Sequence, residues 1–245
     1  MPNYQQIAKD ARLKVLDLIY RAQVSHIGSN FSCIDILAVL FEKIDLDKDK
    51  FVLSKGWVAA SLYYFLWRKG RISEEELDSF CKEGSKFIGL AEPITPDIMI
   101  AGGSMGLGLP GAVGLALAKK IKKEEGKVYV LMSDGEMQSG TTWESALIMN
   151  HHNLDNLVVI IDNNGLQAMG KTEDILKMPF EINEYIDGHN YEEIETALDT
   201  HNGSDFIIAK TTKGRGVSFM ENNNLYHYKG LSEKEYEDAK KEIYG

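Results

Sequence analysis

Apolar residues recur along this chain with two different periods. Ile7, Leu13, Leu16, Ile19 and Val24 fall at helical spacing, which predicts an amphipathic first helix ended by a loop at residues 25–29. Ser32 and Asp35 then stand in the Ser-x-x-Asp spacing that starts helices, predicting a capped helix through residue 41. After the turn Ser54-Lys55-Gly56 comes an apolar segment at 58–67, and Ser73 followed by three glutamates opens an acidic helix reaching about residue 83. Pro93 and Pro96 precede a glycine-rich loop that feeds a helix over about 110–123. A second period takes over at 128–132, 157–162 and 206–210: short, β-branched, almost wholly apolar runs, as parallel strands buried on both faces are. Residues 141–152 supply a helix between the first two of these runs. The tail reads as a charged helix with Ser232 and Glu235 as its capping pair and Glu237–Lys241 at i,i+4. No repeat, low-complexity tract or linker interrupts the pattern, so one α/β domain over residues 1–245 is expected.

Strand, helix, strand at 128–162 is a βαβ unit, and its crossover brings the carboxyl ends of both strands to one sheet edge. Asp134 and Asn164 follow those ends directly, at the edge where open α/β sheets bind ligands. Their oxygens suit a hard divalent ion such as Mg²⁺, which also binds ligand phosphates and water. Gly135 would let the backbone come close to a phosphate. Taken singly, Asp-Gly and Asn-Asn-Gly are ordinary turn sequences. Both at strand ends, thirty residues apart with a helix between, make a site the better reading.

That pattern resembles the diphosphate-binding signature of thiamine-diphosphate enzymes, with Ser133 in place of the signature's first glycine. Further motifs follow in order: Gln23-Val-Ser-His-Ile-Gly28, Phe51-Val-Leu-Ser-Lys-Gly56, Gly103-Ser-Met-Gly-Leu-Gly108, Gly165-Leu-Gln167, Asp187-Gly-His189 and Lys213-Gly-Arg-Gly-Val-Ser-Phe-Met-Glu-Asn222. The series is similar to the N-terminal half of transketolase, in the version split between two genes, from about residue 5 to about residue 230. The resemblance implies a three-layer fold with a mostly parallel central sheet, and thiamine diphosphate held through Mg²⁺, or Ca²⁺ or Mn²⁺ in its place. It assigns the metal to Asp134, Asn164 and the backbone carbonyl of Leu166. The diphosphate and the rest of the cofactor fall to Gly135, Glu136, Gly103, Ser104 and Met105, together with the metal ligands. Packing alone is the other reading of the glycine loop. His26 matches a family histidine that donates a proton or hydrogen bond to the donor substrate, and His227 a second one near the substrate. The chemistry implied is transfer of a two-carbon ketol unit from a ketose to an aldehyde.

The remaining candidates read otherwise. His151, His152 and His201 are surface or helix-end residues, and His189 is structural at a strand–helix turn. Lys213 and Arg215, flanked by glycines, read either as a phosphate contact or as a solvated turn.

Departures from the family matter as much. Trp57 stands where it has a histidine after Ser-Lys-Gly, and Leu90 where it usually has one before proline. Losing groups that would bond a substrate hydroxyl changes which substrate fits, so a non-standard sugar is expected. Trp57 could stack on a sugar or nucleobase, or belong to the core. Ser139 replaces a glutamate of the subunit contact and Ala168 a larger apolar residue, while Glu144 matches an interface glutamate. Residues 177–185 are too short for the helix and strand the family places before Asp187.

Bulk composition agrees. A 245-residue chain with 44% hydrophobic residues can bury one sizeable core. A net charge of −10 argues against nucleic acid as partner. Cys33 and Cys81 read as reduced thiols of a cytoplasmic protein, and neither a leader nor a membrane span is expected. The family's cofactor lies between two domains, and this chain supplies only the diphosphate-binding one. A second chain carrying the pyrimidine domain is therefore expected, in an α2β2 assembly. Alternative readings are another thiamine chemistry, of the 2-oxo-acid dehydrogenase E1 alpha or acyloin-forming kind, a non-catalytic scaffold, and, more weakly, a dinucleotide binder.

Overall fold

In the computed structural model, residues 2–176, 185–203 and 205–245 are described. Five strands form one sheet: β1 (Lys50–Leu53), β2 (Val128–Ser133), β3 (Leu157–Asn163), β6 (Ile186–Asp187) and β7 (Phe206–Lys210), in the order β1-β2-β3-β7-β6. Every pairing is parallel, with Val128 opposite Leu157 and Ser133 opposite Asp162 at the centre. The carboxyl ends of all five strands consequently share one edge. A small antiparallel hairpin, β4 (Leu166–Gln167) with β5 (Gly170–Lys171), projects from that edge just after β3.

The period-2 alternation of each strand sorts its side chains into two layers. Leu157, Val159 and Ile161 of β3 join Val128, Val130 and Met132 of β2 beneath α5 (Gly108–Lys122) and α6 (Gly140–His151). Val158, Ile160 and Leu131 point the other way, against α1 (Tyr4–Ala22), α2 (Ile27–Lys43), α3 (Ala59–Arg68) and α8 (Tyr191–Thr200). This is the expected three-layer arrangement. Residues 27–41 of α2 are all buried, since the helix lies inside one of these layers and has no solvent face.

Burial of α2 overturns the capping expectation for Ser32 and Asp35. Both lie inside the helix: the Ser32 hydroxyl donates to Asp162 at 2.6 Å, and Asp35 takes a two-pronged bond from Arg12 at 3.0 and 2.6 Å. Capping boxes are present elsewhere. Ser73 with Glu76 starts α4 (Glu74–Asp78), which stops well short of residue 83, and Ser232 with Glu235 starts α9 (Glu233–Tyr244). Along α9, Lys240 pairs with Glu237 and Lys241 with Asp238, so the contacts are i,i+3. The short helix α7 (Thr172–Ile175) follows the hairpin. The expected shortening at 177–185 falls almost wholly outside the described residues. Cys33 and Cys81 are free thiols. No helix among the described residues is long and apolar enough to cross a membrane.

Candidate active site

Asp134 follows β2 directly and is 7% exposed. Its Oδ1 accepts from the Gly135 amide at 2.8 Å, and its Oδ2 from the Gly165 amide at 2.7 Å and the Thr172 hydroxyl at 3.1 Å. Those bonds draw the loop after β3 against the end of β2. Burial, and then the charge of Asp162, push the Asp134 carboxyl up to about 6. Next to it, Asn164 Oδ1 accepts from the Leu166 amide at 3.0 Å, and Asn164 Nδ2 lies 3.4 Å from Ser32 Oγ.

These residues fit a divalent cation. Ionised Asp134 is a buried charge with a second carboxylate nearby, a position that favours a positive ion. Each carboxylate or amide oxygen carries two lone pairs, so Asp134 Oδ1 and Asn164 Oδ1 each keep one beyond the bonds described. With the Leu166 carbonyl the donor set is all oxygen, the chemistry of Mg²⁺, Ca²⁺ or Mn²⁺. No group of three or more His, Cys, Asp or Glu among the described residues could hold a metal. A site here therefore rests on one carboxylate.

Gly135 explains why its position takes no side chain: a Cβ there would meet Gln167 Cδ at 2.9 Å and Met105 Cε at 3.0 Å. Gly103, Ser104 and Met105 pass directly above, exposed at the carboxyl edge. Gly106 turns this loop with φ +79°, and an added Cβ would collide with Ser139. Glu136 fixes the loop from below. Its Oε1 accepts from Ser54 Oγ at 2.5 Å and the Gly106 amide at 3.0 Å, and its Oε2 from the Ser133 amide at 2.8 Å and hydroxyl at 3.1 Å. Fully buried and holding four donors, Glu136 has no oxygen left for a ligand. The Glu136 side chain thus positions the glycine loop.

His26 and His227 lie far apart in sequence and together in space. The His26 amide donates to the His227 carbonyl at 2.9 Å, and the rings stand edge to face with centroids 5.0 Å apart. His26 precedes α2 in a left-handed conformation, φ +74°. Its Nδ1 lies 2.7 Å from Ser25 Oγ, and its Nε2 has no hydrogen-bond partner among the described residues. Burial and then the charge of Lys213 lower His26 to about 4, and the same two causes lower His227 to about 3. Both imidazoles are neutral near pH 7.

Residues 3–245 match the family model described as transketolase, thiamine diphosphate binding domain. The chain belongs to the transketolase family. It is 34% identical to an apulose-4-phosphate transketolase subunit of Phocaeicola vulgatus, over 95% of this chain and 90% of that one. It is 31% identical to a 6-deoxy-6-sulfo-D-fructose transketolase subunit of Clostridium sp., covering 98% and 95% of the two. The transketolase of Campylobacter jejuni superposes with a TM-score of 0.88 at 29% identity, over 99% of this chain and 43% of that one. The chain thus spans less than half the length of such single-chain transketolases and nearly all of the separate subunits.

The candidate site contains buried cations that the motif reading missed or misplaced. Lys55 and Lys213 are both fully buried. Lys55, two residues past β1, contacts Asp162. Lys213, read from its flanking glycines as a phosphate contact or a solvated turn, is no solvated turn: it reaches His227 Nδ1 at 2.7 Å and Asn224 Oδ1 at 3.3 Å. Burial, then the charge of Lys55, lower it to about 8, so it remains mostly an ammonium near pH 7. An ammonium can only donate, so it places the single His227 proton on Nε2. Arg215 is exposed, and its carbonyl accepts from Arg12 Nε at 3.0 Å. His189 is structural as expected, with Nδ1 2.7 Å from Asp35 and Nε2 accepting from the Thr212 amide at 2.8 Å. His201 departs from a surface reading: its side chain is 5% exposed, with Nε2 buried and unpaired.

Lys213→Met is expected to raise the pKa of both His26 and His227, because each loses a positive neighbour while keeping its burial. Histidine ring resonances followed through an acid titration check this, and unmoved values would refute it. The sign for stability follows. Because both histidines are depressed in the folded state, the unfolded chain binds more protons between pH 6.5 and about 4, and stability falls across that window on acidification.

Proposed function

We propose that this chain is the diphosphate-holding subunit of a two-chain transketolase, transferring a two-carbon ketol unit from a ketose to an aldehyde, with a non-standard sugar among its substrates. The observation that carries this reading is the placement of Asp134, Gly135 and Asn164 under the exposed backbone of Gly103–Met105, at the edge that also holds the neutral His26–His227 pair.

In this reading Asp134, Asn164 and the Leu166 carbonyl would hold Mg²⁺, and the backbone at Gly135 would leave room for the diphosphate of the cofactor. The nucleophilic carbon is what thiamine diphosphate supplies when bound. The protein's part is positioning and proton handling. His26 Nε2 can carry a proton toward a substrate oxygen, and His227, its tautomer set by Lys213, presents a second donor beside it. Ordinary pentose-phosphate substrates are the weaker reading, since Trp57 and Leu90 replace two hydrogen-bonding histidines of the family pattern. The names of the P. vulgatus and Clostridium relatives, which act on apulose 4-phosphate and a sulfofructose, support the same direction.

A partner carrying the pyrimidine domain is part of the proposal, in an α2β2 cytoplasmic assembly. Support comes from apolar side chains left in solvent near the site, Met169 of the β4–β5 hairpin at 76% and Leu225, two residues before His227, at 67% exposure. Co-purification with the product of the neighbouring gene, thiamine diphosphate and Mg²⁺ being present, tests it by native mass spectrometry. A hetero-oligomer with one cofactor per pair of unlike chains is expected. An assembled complex that carries none would leave the scaffold reading.

A further inference from the structure

Beside His26 opens a cavity of about 390 Å³, within the usual size range of small-molecule sites. Ile19 and Val24 at the end of α1, with Phe80, Ile88 and Leu90 from beyond α4, give it apolar walls. Among the described residues neither a cation nor a carboxylate lines it. A phosphate, sulfonate or ammonium would therefore meet no opposite charge inside.

The polar groups of the cavity gather around His26. Ser25 Oγ lies 2.7 Å from His26 Nδ1. With the ring proton on Nε2, where a proton passed to substrate must sit, Nδ1 accepts from the Ser25 hydroxyl, and Ser25 Oγ keeps lone pairs for a guest. Trp57, just before α3, has its ring centroid 6.5 Å from that of His26. Its indole N–H has no hydrogen-bond partner among the described residues and is open to solvent. An indole donates and never accepts. Asn30 is 1% exposed and bonds to the His26 carbonyl and to Ser61. This part of the cavity thus presents two donors, His26 Nε2 and Trp57 Nε1, and one acceptor, Ser25 Oγ.

A carbonyl with a hydroxyl on the next carbon matches that set. The carbonyl oxygen only accepts, which suits His26. The hydroxyl accepts from Trp57 and donates to Ser25, so neither oxygen goes unpaired among the apolar walls. We propose that Trp57 Nε1 and Ser25 Oγ together read the hydroxyl on the carbon beside the reacting carbonyl, which makes Trp57 a specificity-determining residue. The inference rests on the function proposed above and deepens it: the uncharged, hydroxylated end of the substrate lies in this cavity, and any phosphate or sulfonate lies outside it.

The two-chain complex with thiamine diphosphate and Mg²⁺ provides the test, with 3-hydroxypyruvate and pyruvate as donors that differ by that one hydroxyl. In water each takes up a proton and gives carbon dioxide and an aldehyde, glycolaldehyde from the first and acetaldehyde from the second. Their kcat/KM values are then compared on the same release of carbon dioxide. The wild type is expected to prefer 3-hydroxypyruvate. Trp57→Phe keeps an aromatic ring and removes the N–H, and should cut that preference roughly tenfold, the scale of one hydrogen bond lost in a closed site. Trp57→His restores a donor and should keep most of the preference, whereas Ser25→Ala should lower it. Calorimetry of cofactor binding to each complex identifies a variant that has lost its site, and Ser25→Ala carries the comparison if Trp57→Phe is that variant. A wild type that prefers 3-hydroxypyruvate, with the preference unchanged in Trp57→Phe or Ser25→Ala, sinks this inference and leaves the proposed function standing. A wild-type complex that prefers pyruvate, or that binds no cofactor, sinks the ketol-transfer reading and the inference with it.

Discussion

Asp134→Asn is expected to abolish metal-dependent binding of thiamine diphosphate, a loss of at least about 100-fold, since changing even an outer-shell partner of a metal costs 10–100-fold. Asparagine keeps the shape and one oxygen, but removes the charge that makes a buried position attractive to a cation. Calorimetric titration of the cofactor into the two-chain complex in the presence of Mg²⁺ reads the loss directly. Thermal unfolding gives a second measurement: cofactor with Mg²⁺ should raise the midpoint of the wild type and leave that of the variant in place. The pH dependence has a definite sign. The folded Asp134 carboxyl titrates near 6 and its unfolded counterpart near 3.8, so the folded chain binds more protons between those values. Stability contributed by this group is lost as pH rises from about 4 to about 6, a difference on the order of 2–3 kcal/mol that persists above that window. The stability difference between wild type and Asp134→Asn should therefore change across pH 4–6 and flatten beyond. A variant that binds cofactor and Mg²⁺ like the wild type would remove Asp134 from the site.

Which parts of the site the sequence discloses depends on how far each residue's partner lies along the chain. Strands β2, β3 and β7 are visible because β-branched runs bounded by turns leave little else for those segments to be, and Asp134 and Asn164 are placed by their position at the ends of two of them. β1 is missed because it offers only Phe51, Val52 and Leu53 after a charged stretch, and becomes a strand through pairing with β2. Two-residue β6 carries no periodic signal at all. Ser32 is misread for a similar reason. As a local motif, Ser-x-x-Asp looks like a cap, yet its hydroxyl is used by Asp162, 130 residues away, inside a helix that has no exposed face. Lys213 shows the opposite error. Flanking glycines suggest exposure, whereas they let the chain fold close around a buried ammonium, and the Gly214 amide reaches the Gly28 carbonyl at 2.9 Å. A charged residue closing an apolar strand, as in Ile-Ile-Asp162 or just past β1 at Lys55, is the available signal for the buried pair. It points to a site because a charge at that place must be compensated from another strand end.

Lys55 and Asp162 form that compensated pair, and removing either partner is expected to destabilise the fold by about 3–5 kcal/mol. Both side chains are essentially without solvent contact, at 1% and 0% exposure. Burial is the largest single effect and lowers the Lys55 pKa, but the charge of Asp162, its hydrogen bond and other nearby negative groups such as Asp134 together outweigh it, so the group is raised and the ammonium is retained inside the protein. Asp162 is held from all sides: Lys55 and Ser32 donate to Oδ2, and Thr211 donates to Oδ1. The pair thereby ties the carboxyl ends of β1, β3 and β7 together with α2, the same ends that carry the Asp134 loop and Lys213. Lys55→Met leaves a buried carboxylate beside Asp134, and Asp162→Asn leaves a buried ammonium with only neutral partners. The double variant removes both charges and should recover a large part of the loss, giving a coupling energy of more than about 1 kcal/mol in a double-mutant cycle. Denaturant unfolding of the four proteins measures it. Single variants within about 1 kcal/mol of the wild type, or additive effects, would show that the two charges are solvated or paired elsewhere. If the pair holds as described, each single variant should also weaken cofactor binding without touching a ligand, because the edge that presents Asp134 and His227 would no longer be held to one geometry.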